Sequence, residues 1–110
     1  MEFVARFLKS DSAGLREGAA LALGESRLPG VLPLLQEAYA VYRQLAFRRS
    51  LLLSIALLRQ DEGVEFLLSR LEKEPEPLAA AALEALNLYS GDESIRAKVE
   101  TIVSGRKNNP

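Results

Sequence analysis

The chain has 110 residues, a length that suits one small domain. Its 14 basic and 15 acidic side chains leave a net charge of -1, without the basic excess of most nucleic-acid binders or the acidic excess of a disordered tail. Cysteine and histidine are both absent, which excludes thiol catalysis, disulfides, imidazole bases and zinc sites built from thiolate or imidazole.

Apolar residues make up 48% of the chain, enough for a core. The longest apolar stretch, Leu51 to Leu58, is eight residues with Ser54 inside it. That is far below the ~20 residues that span a bilayer. The N-terminal segment is amphipathic, carries Glu2, and lacks the basic start and apolar centre of a signal peptide. The expected setting is cytoplasmic.

Apolar residues recur at spacings of three and four, and no long stretch alternates at period two. The expectation is all helix. Residues 2–9 place Phe3, Val4, Phe7 and Leu8 on one face. Ser10, Asp11 or Ser12 can cap the next helix. That helix carries Leu15, Ala19, Ala20, Leu21 and Leu23, with Gly24 as its expected end. Pro29 suits the first position of the following helix, whose stripe is Val31, Leu34, Leu35, Ala38 and Val41. No glycine or proline occurs from 36 to 60, so a single long helix is open there on propensity. The repeat described below places a turn at 42–44 instead. A very apolar helix follows over 45–58, suited to a position covered on more than one side. Asp61 is the expected cap of the helix to Lys73, with Arg70 and Lys73 near its dipole-favoured end. Pro75 and Pro77 break the chain before a helix over 78–89. Asp92 caps the last helix, with Gly105 as its stop and 106–110 as a flexible tail.

The segments repeat. Leu15-Arg16-Glu17-Gly18-Ala19-Ala20-Leu21-Ala22-Leu23 overlays Phe47-Arg48-Arg49-Ser50-Leu51-Leu52-Leu53-Ser54-Ile55 at an offset of 32. Val31, Leu34 and Leu35 overlay Val64, Leu67 and Leu68 at 33. Leu78, Ala82 and Leu86 continue the first set at 63 from Leu15, Ala19 and Leu23. Copies over about 12–43, 45–74 and 76–104, with a half-repeat over 2–9, make one domain over 1–105. A helix pair cannot bury both of its stripes alone, so such copies stack. Arg16, Leu21-Ala22-Leu23-Gly24 and Pro33-Leu34-Leu35 resemble a HEAT repeat, most closely the short HEAT-like repeats named for phycobilisome lyases. Copy two departs at Ala56 and Phe66, and copy three at Ala79 and Asn87. The resemblance implies an all-α, right-handed α-α superhelix of about three antiparallel helix pairs. The half-repeat start fits either a cap or a piece of a longer array.

In HEAT-like stacks the second helices line the concave face where partners sit. Tyr39, Tyr42 and Arg43 lie there, with Arg70 and Lys73 one copy on, and Tyr and Arg are enriched at binding hot spots. The plainer reading is that one tyrosine packs against a neighbouring helix. Arg16 and Arg48 are expected to hold the stack by bonding loop carbonyls or acids. The acid pairs Asp61-Glu62 and Asp92-Glu93, and Glu72, Glu74 and Glu76, fall at expected caps and turns, where acids are favoured without any catalytic role. No serine has a histidine to activate it, and no metal or cofactor is expected. The expected function is a protein–protein interaction or scaffolding module, not an enzyme. A bilin-lyase-like accessory role, implied by the resemblance, and a nucleic-acid-binding HEAT-like domain are the alternatives. Self-association through exposed ends of the stack is a further expectation.

Overall fold

The structure, a computed structural model, describes residues 2–107. Seven α-helices run in chain order, with no strand among the described residues. They are α1 (Glu2–Arg6), α2 (Ala13–Ser26), α3 (Val31–Val41), α4 (Leu45–Leu58), α5 (Asp61–Lys73), α6 (Leu78–Leu86) and α7 (Glu93–Lys107). Short 3₁₀ turns extend α1 over Phe7–Lys9 and α6 over Asn87–Tyr89. The helices form a flat slab of 44 × 26 × 17 Å. Among the described residues no helix is long and apolar enough to cross a membrane.

Local chemistry sets most boundaries. The Ser12 hydroxyl accepts from the Leu15 amide at 3.3 Å, and an Asp92 carboxylate oxygen accepts from the Ile95 amide at 3.1 Å. The glycine-free stretch does break where the repeat requires: Tyr42, Arg43 and Gln44 are non-helical between α3 and α4. Four expectations need correction. α2 does not stop at Gly24 but runs to Ser26 and closes on Arg27 at φ 53°, a left-handed cap made without glycine. Pro29 lies in the turn, and α3 begins after Gly30, whose φ of 82° only glycine takes without strain. Gln60, not Asp61, is the cap residue of α5, and Asp61 opens its first turn. α7 passes through Gly105 to Lys107, so 106 and 107 are helix rather than tail, while 108–110 lie outside the described residues.

Two sets of helices pack on each other. α4 touches α2 on one side and α6 on the other, while α5 contacts α4, α6 and α7. α4 is accordingly the most buried helix, with Phe47, Leu51, Leu52 and Ile55 almost wholly out of solvent. Small residues set the spacing. A Cβ on Gly24 would sit 2.5 Å from the Ser54 carbonyl oxygen, so α2 and α4 meet backbone to backbone there. On α6 the buried face is Ala79, Ala81, Ala82 and Ala85. The apolar side chains of α7 are only half buried, as befits the last layer.

Candidate interaction surface

Arginine organises the junctions between helices. The last carbonyls of a helix have no partner within it and must find one outside. Arg48 on α4 donates from Nε to the carbonyls of Tyr39 (3.1 Å) and Tyr42 (3.0 Å), and from Nη2 to Tyr39 (2.8 Å). This satisfies the end of α3. Arg16, one repeat earlier, donates from Nη1 to the Ser10 carbonyl at 2.7 Å. Both arginines thus reach a carbonyl six residues upstream, just past the end of the preceding helical segment. The expected structural role of Arg16 and Arg48 agrees with this geometry.

The two differ in their counter-charge. Arg48 meets Glu74 at 3.4 Å. The residue in the same register for Arg16 is Tyr42, and the Arg16 guanidinium lies 5.4 Å from the Tyr42 ring and 5.3 Å from the Phe47 ring. Aromatic faces here stand in for a carboxylate. In copy three the arginine is replaced by Ala79, and Arg106 of α7 takes over. Its Nη1 donates to the carbonyls of Leu71 (3.1 Å) and Glu72 (2.8 Å), at the end of α5. This contact explains why the chain stays helical through Gly105.

Of the five residues read as a partner face, one is buried in the fold. Tyr39 is 4% exposed, and its ring meets Phe66 edge-on at 5.5 Å. Its hydroxyl donates to Glu74, and the Arg48 guanidinium lies 4.3 Å from its ring. Burial first, then the Glu74 hydrogen bond and charge, push the Tyr39 phenol well above its ordinary value, against the pull of Arg48 and Arg70. Arg70 leans on Phe66 and reaches Glu74 at 4.0 Å. Tyr39, Arg48, Arg70 and Glu74 therefore close a polar clasp joining α3, α4 and α5. Tyr39 is thus turned inward, against the expectation that it faces a partner, while Arg70 is half buried. Tyr39 follows Leu35 by four and so falls on the inward stripe of α3. Tyr42 is half buried against Phe47, Arg43 is exposed in the turn, and Lys73 is exposed at the end of α5.

The clasp's carboxylate, Glu74, looks in the sequence like one more acid in a turn. Its one local partner is Arg70, four residues back, and the other two lie 26 and 35 residues away, where no local pattern shows them. Tyr89 is a second aromatic with a hidden role. Its hydroxyl donates to the Ala56 carbonyl at 2.6 Å, bolting the end of α6 to α4. Burial raises its phenol too, opposed by Arg59 and Arg27.

An open depression lies between α5 and α7, the second helices of copies two and three. It has a volume of about 550 Å³, with Leu68, Ala97 and Ile102 on its floor and Glu72, Lys73 and Thr101 on its rim. Lys98 reaches Glu65 across one end at 3.6 Å, and both side chains are mostly exposed. Such a pair is worth little and opens readily. An apolar floor between charged rims of both signs suits a peptide segment of mixed character. Among the described residues, no group of three or more acids could hold a metal ion. No protein-family model, curated protein or solved structure matches the chain.

Proposed function

We propose that the protein is a non-catalytic interaction module, a short right-handed HEAT-like stack whose α5–α7 groove receives a segment of a partner protein. The observation that carries this reading is the groove itself: apolar floor, charged rims, and a position between second helices. Three features support the stacked-repeat part. α2, α4 and α6 lie side by side, the repeat arginines perform the same task twice, and Arg106 performs it a third time. The chain also has no histidine or cysteine, and its two displaced ionisations belong to tyrosines held in structural hydrogen bonds. A fold alone carries no function, so the proposal stands on the groove.

The test is capture from native lysate with three baits: the wild-type chain, Ala97→Trp, which fills the groove, and Lys73→Glu, which reverses one rim charge. Ala97 and Lys73 are both exposed, so neither change should disturb folding. A protein held by the wild type and lost with Ala97→Trp supports the reading. A protein held equally by all three places binding elsewhere.

A further inference from the structure

We propose that the pocket between the 3₁₀ turn Phe7–Lys9 and α3 binds a small carboxylate with an apolar tail, whose charge pairs with Arg16. The argument begins with that cation. Arg16 is only 9% exposed. Its Nη1 bonds the Ser10 carbonyl, while its Nε is buried and has no acceptor among the described residues. A buried guanidinium with an unpaired donor and no carboxylate is costly. Arg48, one repeat on, is fully served. Its Nε bonds the Tyr39 and Tyr42 carbonyls and its Nη1 meets Glu74.

Two local features make the difference, both set by residues 7 to 42. For Arg16 the carbonyl in the register of Tyr39 is that of Phe7, and the 3₁₀ turn bonds it to the Ser10 amide at 3.1 Å. Where copy two presents Glu74, copy one presents Tyr42. The Tyr42 and Phe47 rings attract the guanidinium, but they offer Nε no acceptor and bring no negative charge. Arg16 therefore does its structural work through Nη1 and keeps binding capacity beside it.

A pocket of about 260 Å³ adjoins this arginine. Tyr42, whose ring faces Arg16, lines it, and so does Lys9, the neighbour of Ser10. Leu8, Leu34 and Val41 make its wall apolar. Glu37 is the one acid on the lining and is exposed. Two cations against one carboxylate leave an excess of one positive charge. An apolar pocket with that excess complements a single carboxylate on an apolar body. Tyr42 stands in the non-helical link between α3 and α4 and is half buried. A small turn of its ring lets the ligand's carboxylate reach the guanidinium, as Glu74 reaches Arg48.

The inference uses the repeat for its register and stands apart from the α5–α7 groove. Octanoate is the probe and octanol its neutral counterpart, each titrated into the full chain by calorimetry and followed by amide NMR shifts. Octanoate should bind with shifts centred on Leu8, Leu34 and Val41. Octanol should bind about tenfold more weakly, the effect of losing a charge-assisted hydrogen bond. Arg16→Met should bring octanoate down to the octanol level and leave octanol unchanged. Lys9→Met, at an exposed position, should also weaken octanoate, and it keeps the test open if Arg16→Met loses its helical circular dichroism. Equal affinity of the wild type for octanoate and octanol overturns the proposal. So does the absence of octanoate binding, or shifts centred on α5 and α7. Ala97→Trp, which fills the groove, should leave octanoate bound, so this proposal and the interaction reading fail separately.

Discussion

Replacing Gly24 with alanine tests the closest contact in the fold. Two effects oppose each other. Removing a glycine from a helix interior favours the helix by about 1 kcal/mol. Against this, the new Cβ would stand 2.5 Å from the Ser54 carbonyl oxygen and 2.9 Å from its Cα. Both obstacles are backbone, so no side-chain rotation relieves them, and α2 must move off α4 by a large fraction of an ångström. Overpacking of this kind costs roughly 1–3 kcal/mol, and rigid obstacles favour the upper part of that range. The net expectation is a loss of about 1–2 kcal/mol. Gly18→Ala on the same helix meets open space and should gain up to about 1 kcal/mol. The same substitution six positions apart therefore has opposite signs. Urea unfolding followed at 222 nm should move the midpoint down by about 1 M for Gly24→Ala and up for Gly18→Ala. The comparison belongs at high dilution, where self-association adds nothing to either variant. A Gly24→Ala midpoint at or above wild type would refute the backbone contact between α2 and α4.

Arg48→Met strands the Tyr39 and Tyr42 carbonyls and Glu74 in the interior, and should cost about 3 kcal/mol in the same unfolding assay. Arg49→Ala, which breaks only the exposed pair with Glu84, should change stability by less than about 0.5 kcal/mol, and a similar loss for both would discredit the clasp. Tyr39 and Tyr89 keep their protons longer in the folded state than in the unfolded one, so their contribution is complete below about pH 10 and is lost progressively as pH rises from there through their raised folded-state values. Urea midpoints should fall above pH 10, less steeply for Tyr39→Phe, and a flat profile would contradict the buried phenols. Arg106→Met should loosen α7 by about 1–2 kcal/mol. Hydrogen exchange should then show amides of α7 opening ahead of those of α4, whereas unaltered α7 protection would remove Arg106 from its docking.

The helices were readable from the sequence because their signals are local. Apolar spacing, the Ser12 and Asp92 caps and the Pro75–Pro77 break each act within a few residues. Even the turn at 42–44, which has no glycine or proline, followed from the repeat. Two of the boundary differences share one cause. Gly24 reads as a helix stop by residue type, yet it is glycine because α4 presses on it from 30 positions away. Gly105 is a case of the same kind, since Arg106 beyond it bonds to the end of α5. Tyr39 is a similar case. Tyr39 and Arg70 have the composition of a hot spot, but composition does not say which side of a helix a neighbour will cover.

That failure bears on how interaction surfaces are read in small all-helical folds. The helix–helix junctions use the same residue types as binding sites: aromatic rings, arginines and a carboxylate. What separates the two here is the disposition of backbone carbonyls. Arg16, Arg48 and Arg106 each point at carbonyls past or near the end of a helix, a demand that exists in any stack whether or not a partner binds. At Ala79 the register carries no arginine, and the carbonyls at the end of α5 are bonded from α7 instead. Arginines that answer such a demand belong to the fold. Lys73 and Glu72 on the groove rim, with the weakly held Lys98 and Glu65, answer no such demand, and the proposed partner site is built on charges of that kind.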